Sequence, residues 1–234
     1  MCGRLALYSP PARMARFLQA RLGDGVDPEG HPSWNVGPTV RIDGVHNENG
    51  ERVLDRFRWG LIPSWSKELS IATKTFNARA ESVAVKPSFR NAYKKRRLLI
   101  PIDGFYEWDR REKSKPQPHY FTRADGDPLV VAGLYETWRD PAVPDAPPLA
   151  TATIITTSAN DDMEAIHNRM PVVLEQQNFD LWLSDDASEL DAAGSLLVPA
   201  DPGTLQHHPV DRSVGNVRNN RPDLITPQPP STLF

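Results

Sequence analysis

The chain has 234 residues, 39% of them hydrophobic and 24% charged, with a net charge of −3 and one cysteine. That length suits one large domain or two small ones around a substantial core. A single thiol excludes an intrachain disulfide framework and a multi-thiolate metal site. The slightly negative charge excludes a global basic field, so any nucleic-acid contact must rest on a local patch.

No stretch approaches the roughly 20 apolar residues of a membrane span, and the first residues lack the apolar run of a secretory signal. The expectation is a cytoplasmic protein without membrane contact. Pro is abundant, at 23 residues, and gathers in "SKPQPH" (114–119), "DPAVPDAPP" (140–148) and "TPQPPSTLF" (226–234). Pro cannot donate to a ladder or sit inside a helix, so these read as connections and a tail. The division expected is one domain over 1–225 and a Pro-rich tail over 226–234.

In chain order, a helix is predicted to start after Ser9, with Pro10 and Pro11 in its tolerated first turn. It would carry Met14, Phe17 and Leu18 on one face and stop at Gly23. "TVRIDGV" and "RVLDRFRWG" flank the turn-rich "HNENGE" and predict a hairpin. Further strands are expected in "RRLLIPIDGFYEW", "PHYFTR", "PLVVAGLYETW", "ATATIITTS" and "MPVVLE". Short helices are expected over 88–95, 160–167 and 176–184. Strands dominate the middle and helices are short and peripheral. The fold class predicted is therefore α+β, a largely antiparallel, barrel-like sheet with short peripheral helices.

The lone cysteine is Cys2, directly behind Met1. A small residue at position 2 permits removal of the initiator Met, which would leave Cys2 with an α-amine and a thiol on adjacent carbons. The amine, with a reference pKa of about 7.7–8.0, is partly neutral near pH 7, and a thiolate is a strong nucleophile. Two chemistries use the pair. The thiol can attack an amide carbonyl with the amine as base. Alternatively, the amine can condense with an aldehyde and the thiol close on the imine carbon to give a thiazolidine ring. A small residue in a terminus is the plain alternative.

Other segments supply partners of either kind. "KTFNARAES" holds Asn77, Arg79 and Glu81; an Asn amide both donates and accepts, and Arg79 offers a planar fork for phosphate or carboxylate. A helix start capped by Asn77 is the structural alternative. In "IPIDGFYEWDRR", a strand would put Phe105, Glu107 and Asp109 on one face and Tyr106 and Trp108 on the other. Desolvation of Glu107 would suit general acid–base work; a solvent-facing glutamate is the alternative. His167 ends the predicted helix over 160–167, with Asp161 and Asp162 at its start as the macrodipole prefers. It either serves that helix end or faces a cleft with Asn168 and Arg169. The six His show no ligand spacing with other donors, so no metal and no cofactor is expected. Arg79, Lys86, Arg90, Lys94, Lys95, Arg96 and Arg97 cluster within 19 positions, with Trp59, Trp65 and Phe89 nearby. Such a mixture suits single-stranded nucleic acid, the cations for phosphates and the aromatics for stacking; a solvated face is the alternative.

Taken together, "MCGR", "WNVGPT" (34–39), "RWGLIPSW" (58–65), "FNARAES" (76–82), "KPSFR" (86–90), "RRLLIPIDGFYEW" (96–108), "AGLYETW" (132–138), "TTSAN" (156–160), "IHNRMPVVL" (166–174) and "VGNVRNNRPDLI" (214–225) resemble the SRAP family. These SOS response-associated peptidases crosslink to abasic sites in DNA. The segments occur in family order and span about nine-tenths of the chain. Arg221 departs from the glycine expected there, and the loop over 140–148 departs from the family pattern.

The resemblance implies a SRAP fold, a DNA-damage role and a covalent thiazolidine linkage between Cys2, after loss of Met1, and the ring-opened abasic-site aldehyde. It implies release of Met1 by self-processing and a lyase-like activity. It assigns catalysis to Cys2, Asn77 (positioning the sugar chain), Glu107 (general acid–base) and His167 (proton shuttle). Arg4, Arg79, Arg90 and Arg169 become candidate phosphate contacts. Trp34, Asn35, Pro38, Pro63 and Trp65 become candidates to shape the pocket or wedge the bases. The partner implied is single-stranded DNA carrying abasic sites, met by a monomer that is nucleoid-associated when bound. The alternative is an N-terminal-nucleophile glutaminase, which also begins Met-Cys-Gly; "NENGER" favours it, and the absence of an Arg-Gly-Pro-Asp-like segment speaks against it.

Overall fold

The computed structural model describes residues 2–111 and 114–228. Among the described residues, thirteen strands run in chain order: β1 Leu5–Leu7, β2 Arg21–Leu22, β3 Ser33–Val36, β4 Arg41–Glu48, β5 Glu51–Trp59, β6 Asn77–Arg79, β7 Arg97–Ile102, β8 Gly104–Asp109, β9 Gln117–Arg123, β10 Leu129–Trp138, β11 Leu149–Ser158, β12 Arg169–Pro171 and β13 Leu205–Pro209. The helices are short: α1 Pro11–Phe17, α2 Ala80–Val83, α3 Arg90–Lys95, α4 Phe179–Leu183 and α5 Leu190–Ser195. This is the α+β class expected.

The larger sheet closes on itself. Antiparallel pairs join β11 to β10, β10 to β7, β7 to β4 and β4 to β5. A parallel pairing of β5 with β11, Arg58 opposite Thr151 and Trp59 opposite Ala152, completes a five-strand ring. Closure removes the exposed edges that an open sheet must cover. Alternation along these strands sends Ile42, Leu98, Ile100, Val131, Ala152 and Ile154 into one fully buried cluster with Phe57 and Trp59. The hairpin turn between β4 and β5 is the Asn49–Gly50 pair, both at positive φ (54° and 88°). That geometry fits the right-handed twist of the strands, and Asn-Gly adopts it most readily.

A second sheet, in the order β13-β9-β8-β1-β3, packs beside the barrel. The stretch "RRLLIPIDGFYEW", read as a single strand, is two strands in different sheets, and Asp103 is the joint. Its carboxylate accepts from the backbone N–H of Tyr8 (2.6 Å) and Ser9 (2.8 Å) and from the Ser9 hydroxyl (2.5 Å). Asp103 N–H in turn donates to the Ala6 carbonyl. The break therefore bolts the N-terminal strand to the seam between the sheets. Gly104 begins β8 because an added Cβ would meet the Phe121 carbonyl and the Tyr120 ring at 2.5 Å.

Several predicted elements are corrected. The first helix stops at Phe17 rather than reaching Gly23, because Gln19 turns to positive φ (52°) and Arg21–Leu22 join β5 as a parallel strand. Residues 161–166 form isolated turns, not a helix over 160–167. Asp162 explains this: its carboxylate accepts from Gly203 and Leu205 N–H, so it ties down a neighbouring loop instead of capping a helix. Asn77 does not cap a helix; it opens β6, paired parallel to β11. Residues 229–234 of the Pro-rich tail lie outside the described residues. Among the described residues, no helix is long and apolar enough to cross a membrane.

Candidate active site

β1 lies between β3 and β8, with Leu5 opposite both Val36 and Phe105. The pairing extends one residue further back through Tyr106 N–H to the Arg4 carbonyl (2.9 Å). Continuing that register puts Gly3, the neighbour of Cys2, opposite Glu107. Cys2 is 1% exposed and packs into the apolar cluster that includes Leu5, Phe105 and Met163. Met1 lies outside the described residues.

Glu107 is 3% exposed. The solvent-facing alternative is excluded, and the face reading is borne out: Phe105 joins the Cys2 cluster while Tyr106 joins a second cluster with Tyr120 and Trp108. Burial pushes the Cys2 thiol far above the ordinary thiol range, and the Glu107 carboxylate pushes it the same way. The Arg4 backbone N–H acts in the opposite sense. The thiol is therefore protonated at neutral pH, within electrostatic reach of the buried Glu107 side chain.

His167 stands half-buried ahead of β12, whose Arg169 pairs with Ser158 of β11. Burial lowers its imidazole below the ordinary range, opposed by attraction to Glu107. Its Nδ1 accepts from the Arg169 backbone N–H (3.0 Å), so the neutral ring carries its proton on Nε2. Asn77, from β6, donates through Nδ2 to the Cys2 carbonyl at 2.6 Å. Its Oδ1 is buried and takes no hydrogen bond among the described residues. Four side chains far apart in sequence thus converge: a thiol, a carboxylate, an imidazole and an amide. Among the described residues, no group of His, Cys, Asp and Glu is arranged to hold a metal ion.

The remaining candidates divide by exposure. Arg79 on β6 and Arg90 at the start of α3 are exposed, and Trp65 is 57% exposed. Pro38 and Trp34 are half-buried, Pro63 is buried, and Trp34 stacks on Tyr8 with ring centroids 6.1 Å apart. Arg4 is half-buried, donating to Asn35 Oδ1 and the Val214 carbonyl, both at 2.7 Å, with its guanidinium 5.8 Å from the Trp108 ring centre. Asn35 is 5% exposed and its amide nitrogen reaches the carbonyls of Val214, Asn216 and Asn219. The Arg169 guanidinium is paired with Glu81 and also donates to the Thr156 carbonyl.

Sequence reasoning missed the segment over 213–220 as the clasp behind Arg4, and Asp103 as the anchor of the N-terminal strand. The first lies within a family-resembling segment, but only its Asn-rich composition hints at the contact with Arg4. The second is an Asp-Gly interruption of an apolar run, a local signal for the break but not for its partners.

Comparison with known proteins shows what the chain is similar to. The family model "SOS response associated peptidase (SRAP)" matches residues 1–217. The abasic site processing protein YoqW of Bacillus subtilis is 40% identical over 227 residues, covering 96% of this chain and 99% of its own. The abasic site processing protein HMCES of Gallus gallus is 33% identical over 266 residues, covering 97% of this chain and 78% of its own. A crystal structure of a Bacteroides thetaiotaomicron protein superposes with a TM-score of 0.84 at 25% identity, covering 97% of this chain and all of that one.

Proposed function

The chain belongs to the SOS response associated peptidase family, and from that premise we propose that it processes abasic sites in single-stranded DNA by forming a covalent thiazolidine with Cys2. Relatives bearing the name abasic site processing protein support the substrate class. The observation that carries the chemistry is the convergence of Cys2, Glu107, His167 and Asn77 around one buried position.

The reaction begins with hydrolysis of the Met1–Cys2 amide, self-catalysed in this reading, which frees the α-amine. The amine attacks the aldehyde carbon of the ring-opened deoxyribose, and loss of water gives an imine. The Cys2 sulfur then bonds to the imine carbon, its proton passing to Glu107 and one proton reaching the imine nitrogen. The net change is two new bonds to one carbon and the loss of one water. A thiol held protonated until the imine forms orders the steps, amine first and sulfur second. His167, neutral with its proton on Nε2, shuttles protons between Glu107 and the sugar oxygen. Positioned proton transfer of this kind contributes about 10²–10⁴-fold. Asn77 fixes the Cys2 backbone through Nδ2 and leaves Oδ1 for a hydroxyl of the opened sugar.

Arg79, Arg90 and Arg169 contact phosphates, while Trp65, Trp34 and Pro38 flank the bases in this reading. Arg4 and Asn35 act from behind, one half-buried and the other buried. Residues 1–225 act as one unit and as a monomer. The test is incubation with a single strand carrying one abasic site, followed by boiling in detergent. A surviving adduct that is lost in Cys2→Ala supports the proposal, and no adduct from the wild-type chain refutes it. Ammonia release from glutamine would favour the glutaminase alternative instead.

A further inference from the structure

Arg169 is a candidate phosphate contact, yet its fork is already occupied. Both terminal nitrogens pair with the two carboxylate oxygens of Glu81, and one of them also donates to the Thr156 carbonyl at 2.5 Å. The partners differ in exposure: the Arg169 side chain is 16% accessible and that of Glu81 is 56%. Glu81 stands in the first turn of α2, two positions after Arg79, whose cation also acts on it. One exposed carboxylate therefore covers the half-buried Arg169 guanidinium, within electrostatic reach of Arg79. A carboxylate in a bidentate pair with arginine presents the same two-oxygen edge as a phosphodiester.

We propose that Glu81 is a specificity-determining residue, an internal stand-in for a DNA phosphate that must be displaced before Arg169 engages the backbone. This rests on the reading of Arg169 as a DNA contact. The hydrogen bond from Arg169 holds the Glu81 carboxyl below its ordinary range, so the stand-in is ionised throughout the neutral region. Undamaged strands, bound only through phosphates and stacking, must displace this partner for a small return. A strand with an abasic aldehyde meets the same cost and is then retained by two covalent bonds. Glu81 thus shortens residence on intact DNA without touching the reacting atoms.

The test compares wild type, Glu81→Gln and Glu81→Asp for equilibrium binding of an undamaged oligonucleotide across a salt series, with adduct formation on an abasic oligonucleotide measured in parallel. Glu81→Gln is expected to bind the undamaged strand about two- to five-fold more tightly at low salt, the range of an exposed ion pair. Its salt slope should steepen by about 0.7, one further phosphate neutralised on a single strand. Glu81→Asp, which keeps the charge, should stay near wild type, and Glu81→Ala replaces the Gln variant if that one fails to fold. Unchanged or weaker binding by the uncharged variant, with wild-type adduct formation intact, overturns the inference alone. Slower adduct formation at unchanged affinity also overturns it, since Glu81 would then serve the Arg169–His167 geometry. Absence of any wild-type adduct refutes the functional reading instead.

Discussion

Asn77 Nδ2 donates to the carbonyl of Cys2 at 2.6 Å, tying a barrel-edge strand to the residue proposed to do the chemistry. The bond runs from side chain to backbone, so it fixes where the thiol and the amine stand without blocking either. Asn77→Ala is expected to cost about 1 kcal/mol of unfolding free energy, the usual net value of one such bond. Adduct formation should slow about 10²-fold, because the amine and thiol lose their register with the aldehyde. Equal rates for wild type and variant in a single-turnover adduct assay would remove Asn77 from the site.

Glu107→Gln should slow adduct formation by about 10²–10⁴-fold while leaving salt-dependent DNA binding close to wild type. It also has a signature in the resting protein. The Glu107 carboxylate raises the Cys2 thiol, so the neutral amide should let the thiol ionise at lower pH. The pH dependence of thiol alkylation reads this directly. A shift upward, or a parallel loss of DNA affinity, would mark Glu107 as structural.

Asn35→Ala addresses the clasp. The Asn35 amide nitrogen contacts three carbonyls of the segment over 214–219, and its oxygen receives the Arg4 guanidinium. Removing it strands buried acceptors and should lower unfolding free energy by about 2 kcal/mol. A denaturation midpoint equal to wild type would contradict this placement.

A pH effect on stability follows from His119 and His207. Their Nδ1 atoms lie 3.0 Å apart across β9 and β13, so one must donate while the other accepts. Burial, then the neighbouring His207, push His119 down to about 4, and burial lowers His207 as well. The unfolded chain takes up these protons near pH 6.5, where the folded pair refuses them. Stability present above pH 6.5 is therefore lost as pH falls from 6.5 towards 4. His119→Gln should flatten that part of the profile, and an equally steep profile in the variant would contradict the assignment.

The barrel was legible in the sequence where apolar and β-branched residues ran together, as in "PLVVAGLYETW" and "ATATIITTS", and where Asn-Gly marked the hairpin. It was illegible at joints decided by tertiary bonds. Nothing local shows that Asp103 receives three donors from Tyr8 and Ser9, or that Asp162 prefers the loop at 203–205 to a helix start. The site followed the same rule. Cys2 and Glu107 stood out by chemistry and strand position. The engagement of Arg4 with Asn35, and of Arg169 with Glu81, depends on partners 31 and 88 residues away.

The central claim is tested most directly by the intact mass of the protein–DNA adduct. The prediction is the mass of the chain without Met1, plus the abasic strand, less one water. An adduct that retains Met1, or one in which Cys2 remains open to alkylation, would contradict the thiazolidine account.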